Sequence, residues 1–428
     1  MRFDRTLFAL AACATFALPG AAQQVPDSVR VAELERQVEA ITRELESLRL
    51  GRDVVEADTS MLGLGPAASK VYRVNQGVSL GGYGELLYEN FSATRDDGAP
   101  ASSRDRFDAL RAILYVGYKF NDRILFNSEI EIEHGNEAFL EFAYVDYLLN
   151  DGLGVRGGLL LAPLGLINEL HEPPTFLGTT RPETEQAIIP STWRENGLGA
   201  FGSTEGFEFR AYLVNGLDAV AGGSSPAGGF SGSGLRGGRQ KGAKAVAEDF
   251  AGVARLDYTG VLGLTVGASG WYGGSAQGRE LDGMEVEAQT LVWDLHGEYR
   301  ARGLDLRALV AGARLDDAAA LNRLNGLTVA SGVGEEMLGW YVQAGYDVLR
   351  GTGSTHQLVP YVRYEAVDTQ REVPTGFAVN PATDLTVLSL GAAWRPLPQV
   401  IVKGDWQIHD NDADTGVDQL AVALGWLF

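Results

Sequence analysis

The chain has 428 residues, with 35 Lys and Arg against 56 Asp and Glu and a formal charge of −21. So acidic a balance excludes nucleic acid as a partner, because phosphate backbones demand a basic footprint. With 55 Gly but only 15 Pro and no long unbroken apolar run, collagen-like, Pro-rich disordered and helical-membrane classes fall away, whereas a β-barrel, whose apolarity hides in alternation, stays open.

Arg2 and Arg5 precede an apolar run from Thr6 to Leu18, and Gly20-Ala21-Ala22 supplies small residues for cleavage. Residues 1–22 therefore read as a secretory signal peptide, too short to span a bilayer. Leu10-Ala11-Ala12-Cys13 also fits a lipobox, yet the apolar run continues past Cys13, where a lipoprotein would turn polar. Cys13 is the single cysteine, so cleavage after Ala22 leaves a mature chain without disulfides.

Residues 23–50 are expected to form a short periplasmic coiled-coil helix. Val31, Leu34, Val38, Ile41, Leu45 and Leu48 recur at spacings of three and four, an a/d seam flanked by Glu and Arg. Such a seam either self-associates or packs on its own chain. So short a coil is marginal alone and needs a second oligomeric contact. Residues 51–76 carry no period and read as a linker.

From residue 77 the period becomes two. In Arg123–Glu133, Ile124, Phe126, Ile130 and Ile132 share one face, while Asn127, Glu129, Glu131 and Glu133 share the other. The chain ends likewise, with Leu420, Val422, Leu424, Trp426 and Phe428 alternating against small residues. These are half-buried strands, and the pattern predicts no helix after residue 51. Seven tight turns, near 121–122, 150–152, 204–205, 259–260, 301–303, 350–351 and 396–398, alternate with eight longer segments. The longer ones are 92–105, 134–137, 163–194, 216–249, 274–284, 315–335, 368–384 and 410–416. The expected fold is an all-β, transmembrane antiparallel β-barrel of about 16 strands over residues 77–428, with tight turns on the periplasmic side.

A soluble sandwich would need one very large core. A barrel instead turns its apolar face to lipid and its polar face to a watery lumen. Glu129, Glu131, Glu133, Arg210, Arg255, Asp257, Arg300, Arg307, Arg363 and Lys403 are the expected lumen wall. A cation on the lipid side would cost roughly 2–4 kcal/mol at the midplane. Tyr118, Phe120, Tyr147, Trp271, Tyr272, Tyr299, Trp340, Tyr346, Trp394, Trp406 and Trp426 are candidates for interfacial girdles.

The third long segment, 163–194, is apolar for a loop: Leu164, Leu166, Ile167, Leu170, Phe176, Leu177, Ile188, Ile189 and Trp193 lie in it. A loop waving in water gains nothing from such residues; a loop folded into the barrel does. Glu169, His171, Glu172, Arg181, Glu183, Glu185, Arg194 and Glu195 are the candidate constriction residues, expected to set a transverse field. The rival placement is an external loop that caps the barrel or meets a neighbouring subunit. The next long segment carries Arg236, Arg239, Lys241 and Lys244 amid Gly and Ser and reads as a mobile basic loop, screening the acidic surface or attracting anions.

The five histidines, His134, His171, His296, His356 and His409, show no ligand spacing. The Glu129/Glu131/Glu133 ladder is read first as a solvated wall and second as a divalent-cation site. No metal, cofactor or catalytic residue is assigned, and no enzymatic activity is expected.

The signal peptide, seam and barrel together resemble the phosphate-selective porin O and P family. The segments that carry the likeness are VSLGGYGELLYENF (78–91), LRAILYVGYKFNDRILFNSEIEIEH (110–134) and residues 157–202. The resemblance implies a bacterial outer-membrane location, a homotrimer in contact with outer-membrane lipid, and a diffusion channel. The phosphate-specific members line their pore with an arginine ladder and a lysine cluster, whereas the expected lumen here mixes signs. The reading is a passive porin for small hydrophilic solutes or ions, with anions such as phosphate as candidates. The other reading is a structural tether, a barrel anchor whose coil contacts the periplasm or cell wall.

Overall fold

The computed structural model describes residues 36, 60–222 and 227–428. The signal peptide and the seam residues Val31, Leu34, Val38, Ile41, Leu45 and Leu48 lie outside the described residues. The account below concerns the unit spanning Asp53–Phe428.

Among the described residues 18 strands form, and 16 of them close a barrel. In chain order they are β1 Gly77–Phe91, β2 Arg106–Lys119, β3 Ile124–Glu133, β4 Glu137–Asn150, β5 Leu153–Leu161 and β6 Arg194–Thr204. Next come β7 Phe207–Asn215, β8 Phe250–Val261, β9 Leu264–Gly273, β10 Glu280–Leu281, β11 Met284–Glu285 and β12 Thr290–Ala301. The last six are β13 Leu304–Leu315, β14 Glu336–Tyr346, β15 Gln357–Glu372, β16 Asp384–Leu397, β17 Val400–Asn411 and β18 Gln419–Leu427. Strands β10 and β11 pair only with each other, inside a loop. All other neighbours are sequential and antiparallel, and β1 closes on β18 through Tyr83↔Leu427 to Phe91↔Gln419. Closure leaves no free sheet edge, the condition for strands to sit in lipid.

Register makes the two faces explicit. Val362, Leu390, Trp406 and Leu420 stand side by side across β15 to β18, and all four are exposed. One residue along, Arg363, Ser389, Gln407 and Gln419 form the parallel row, and all four are buried. A period of two sends one row to each side of the wall. Leu114, Ile130, Ile132, Leu213, Leu256, Leu295 and Val342 extend the exposed apolar belt around the barrel. Trp340, Trp394, Trp406, Tyr118, Tyr147 and Tyr272 are exposed with it, but Trp271 is not a girdle residue. It is buried and lies 4.4 Å from Trp193 of the loop between β5 and β6, on the inner side.

The connections alternate as expected, with two adjustments. The β14–β15 connection runs from 347 to 356 rather than forming a tight turn, and the β8–β9 turn falls at Leu262-Gly263. A seven-residue helix, Ala318–Leu324, sits in the β13–β14 loop, where no helix was expected. Its Ala and Leu are strong helix formers, and Leu321 is fully buried; the segment is too short to show a helical period in the sequence.

The larger departure is inside. The interior holds an apolar cluster built from wall residues such as Tyr83, Tyr115, Phe142 and Tyr341 and from segments that fold inward. The β5–β6 loop contributes Leu164, Leu166, Ile188, Ile189 and Trp193, and the β7–β8 loop contributes Leu217, Phe230 and Leu235. Residues 60–76, expected as linker, contribute Leu64, Ala67, Ala68 and Val71. They turn through a short 3-10 helix, Ala68–Tyr72, and Tyr72 donates to Asp146 of β4 at 2.6 Å. Space for these guests comes from glycine. A Cβ at Gly117 would stand 2.6 Å from Val71 Cγ2, and one at Gly425 would stand 2.4 Å from Pro173 Cβ.

Candidate pore constriction

The β5–β6 loop enters the lumen as bare backbone, so its carbonyls and amides need partners there. The wall supplies them with charge. Arg255 donates to Gly165 O, and Arg300 and Arg307 both donate to Thr175 O. Arg395 reaches Pro174 O at 2.9 Å, Lys403 reaches Gly178 O at 2.9 Å and Arg363 reaches Thr180 O at 3.3 Å. The Lys403 ammonium also lies 3.5 Å from the Phe176 ring centroid. Wall carboxylates receive the amides: Asp294 from Gly165 N at 3.1 Å, Asp405 from Thr179 N at 2.8 Å and Glu365 from Glu183 N at 2.6 Å. Hydrogen bonds with one ionised partner are about twice as strong as neutral ones. The five expected wall cations Arg255, Arg300, Arg307, Arg363 and Lys403 thus brace the loop; four of them are buried, and Arg300 still reaches solvent.

Three of the other expected wall residues, Arg210, Asp257 and Glu129, also find partners. Arg210 binds Glu169 at 3.2 Å and Asp257 at 2.8 Å, and Asp257 in turn meets Arg255 and His296. Glu129 meets His171. Glu131 and Glu133 border a cavity described below.

Of the eight residues singled out in the loop region, most are braces. Glu172 accepts from Ala67 N and Ala68 N, each at 3.1 Å, and so clamps the inward 60–76 segment. Glu185 accepts from Leu166 N at 2.8 Å, Ile167 N at 2.7 Å and the Tyr341 hydroxyl at 2.6 Å, folding the loop on itself. Glu195, already in β6, accepts from Asn215 at 2.7 Å and Gln240 N at 2.9 Å. Glu169 is held by Arg210, and His171 donates from Nδ1 to Asn168 O while its Nε2 faces Glu129 Oε1. Burial pushes the Glu183 carboxyl up to about 7, with Glu365 adding to it, and pushes Glu185 up to about 6. Arg181 and Arg194 are the two that border open space.

That space is a cavity of about 290 Å³ on the long-loop side. Its border carries Arg111, Arg181, Arg194, Arg236, Arg239 and Lys241 against Glu85, Glu131, Glu133 and Glu137. A second cavity of about 390 Å³ lies on the tight-turn side, with Arg300, Arg302, Arg350 and Arg395 against Asp305 and Asp347. Phe176 borders the first and Pro174 the second, so the loop stretch Pro173–Phe176 is the partition. The β7–β8 loop is packed here rather than mobile: Arg236 and Arg239 both donate to Ser191, and Arg239 also to Thr192 at 3.0 Å.

In the first cavity the cations crowd one another. Arg181 Nη2 has no hydrogen-bond partner among the described residues. Burial, with Arg111 beside it, lowers the Arg181 guanidinium from its ordinary range. Burial, Arg236 and Arg194 bring Arg239 down to about 9, and burial with Arg239 lowers Lys241. Each would be relieved by an anion. Strand parity would have found Glu85, Arg111 and Arg395, which share the inward register of the expected wall. Nothing in the sequence placed Arg302 and Arg350 at the second cavity.

No family model matches the chain. An uncharacterized protein of Aquifex aeolicus is 38% identical over 399 residues, covering 89% of this chain and 87% of the relative. Among solved structures, Salmonella typhi OmpF in complex with daunomycin covers 83% of this chain and 98% of its own, at 14% identity and a TM-score of 0.52. The anion-selective porin of Comamonas acidovorans covers 82% of this chain and 100% of its own, at 13% identity and a TM-score of 0.50. Vibrio cholerae OmpT in its trimer form covers 83% of this chain and 100% of its own, at 11% identity and a TM-score of 0.50. At such identities the likeness is one of fold: the 16-stranded porin barrel. A closed barrel of this kind, wearing a continuous apolar belt, is a bacterial outer-membrane protein.

Proposed function

The chain belongs to the same family as the Aquifex aeolicus protein, and we propose that its barrel is a porin, a passive outer-membrane channel for small hydrophilic solutes that favours anions. One observation carries the reading. A loop braced inside the barrel divides two cavities, and each is bordered by more cations than carboxylates, six to four and four to two, in a chain whose net charge is −21. A water-filled lumen with low-dielectric walls and such a lining concentrates anions and repels cations. Phosphate is one candidate solute, since guanidinium groups match its oxygens in pairs. Passage is diffusive and involves no catalytic step. A tether would have no use for charged cavities on both sides of a partition, and this disfavours it.

Reconstitution in planar bilayers tests the proposal. Stepwise ohmic current and a reversal potential on the anion side of a KCl gradient are the expected results, with phosphate reducing the chloride current. Absence of current would return the tether to the front. A reversal potential on the cation side would remove the anion preference and leave the channel standing. The proposed assembly is a homotrimer, as in the Vibrio cholerae OmpT trimer form. Deleting residues 31–48 is then expected to weaken the oligomer on semi-native gels.

A further inference from the structure

Three side chains from three segments converge where the loop meets the wall: Glu129 on β3, Glu141 on β4 and His171 on the β5–β6 loop. One ligand atom from each lies within 4.8 Å of the others. Both carboxylates are fully buried and the imidazole is 2% exposed. Glu129 Oε2 and both carboxylate oxygens of Glu141 have no hydrogen-bond partner among the described residues. Buried charge left so unsatisfied is costly. Arg194 is the nearest cation, 3.5 Å from Glu141 Oε1, and it already donates to Leu140 O and Thr192 O. Glu131, another buried carboxylate on the same face of β3, also has an unpartnered oxygen.

The histidine sharpens the point. His171 Nδ1 lies 2.9 Å from Asn168 O. A carbonyl oxygen can only accept, so Nδ1 carries a proton, and Nε2 is left to bear either a second proton or a metal ion. Nε2 lies 3.3 Å from Glu129 Oε1, which is also an acceptor. Two acceptors facing each other need a cation between them, and either a proton shared in an imidazolium–carboxylate pair or a metal ion meets that need. Fixing one ring nitrogen on a backbone carbonyl is how proteins orient a metal-binding histidine. Ligand atoms about 3.3 Å apart are also the spacing of adjacent corners around an ion with bonds of about 2.0–2.1 Å.

We propose that Glu129, Glu141 and His171 bind a first-row divalent cation such as zinc or manganese, which clips the inward loop to the barrel wall. One imidazole with carboxylates suits such ions better than calcium, which prefers an all-oxygen shell. Bound there, the ion ties the start of the loop to β3 and β4 and neutralises carboxylates that a proton and Arg194 otherwise share.

The test uses the full chain folded in detergent, stripped with EDTA and titrated calorimetrically with zinc and, separately, manganese. The expected result is one high-affinity ion per chain for at least one of the two metals, weakened at least tenfold by His171→Gln and by Glu141→Gln. His134→Gln, which alters the exposed His134–Asp108 pair, is expected to leave the affinity unchanged. Folding of each variant is checked by the heat-dependent gel shift of the barrel, and each glutamine keeps the hydrogen-bonding shape of the group it replaces. No saturable binding of either metal to the wild-type chain overturns the proposal, as does equal affinity in a folded His171 or Glu141 variant. Binding is read without current, so failure here is separable from failure of the channel reading.

Discussion

Two long connections on the same side of the barrel behave in opposite ways. The β1–β2 loop, 92–105, is mostly exposed and is held at the surface: Arg95 pairs with Asp97, Ala101 N donates to Ala93 O at 2.9 Å, and Ser92, Asp96 and Asp97 amides donate to Asp418, Gly416 and Asp414 of the β17–β18 loop. The β5–β6 loop dives into the lumen and buries Leu164, Ile167, Leu177, Ile188, Ile189 and Trp193 almost completely. The first has no large apolar residue to hide. The second has several, and it meets a wall whose Arg, Lys, Asp and Glu are spaced to take its carbonyls and amides. Apolar content drives a loop inward, but only a complementary wall lets its backbone stay there.

That contrast can be broken most directly by replacing residues 166–190 with a short Gly-Ser bridge. Single-channel conductance is then expected to rise several-fold; an unchanged conductance would mean that the loop is not the narrow section. Next in size is Trp193→Ala. Its ring is fully buried and packs on Trp271, so truncation is expected to cost roughly 3–5 kcal/mol, read as a lowered unfolding temperature in detergent. A smaller, reversible effect comes from pH. Glu183 and Glu185 titrate higher in the docked loop, at about 7 and 6, than free carboxyls do. Their contribution to docking is full below their ordinary range near 4.5 and is lost as pH rises through 6 to 7. Current recorded at pH 8 is therefore expected to show larger or more frequent openings than at pH 5, and the reverse order would exclude these groups as the loop's pH sensor. The smallest effect belongs to the exposed loop. Asp97→Ala removes a surface ion pair worth about 0–1 kcal/mol, and both the unfolding temperature and the conductance are expected to stay near wild type.

Much of the wall was legible along the chain. A period of two is a local property, so Glu129, Glu131 and Glu133 could be set opposite Ile130 and Ile132 without knowing any neighbour. The β5–β6 loop betrayed itself by carrying apolar residues that no external loop needs. The roles of its charges were not legible. Glu172 looks like a pore charge in the sequence but caps amide groups 105 and 104 residues away, at Ala67 and Ala68. Residues 60–76 showed no period because a segment packed inside a barrel answers to an irregular cavity rather than to a sheet. Arg236 and Arg239 read as a free basic loop because their partners are carbonyl and hydroxyl groups about 45 residues upstream, which no spacing announces.

Alternation and turn chemistry alone determined that the chain is an even-stranded barrel with a greasy outside and a polar inside, since each strand's two faces are written in consecutive residues. Only closure of the cylinder decided which inward charges meet a cavity, which meet the loop backbone and which meet one another. Those pairings join residues far apart in the chain, and they exist only once 16 strands have brought their inner faces around a common axis.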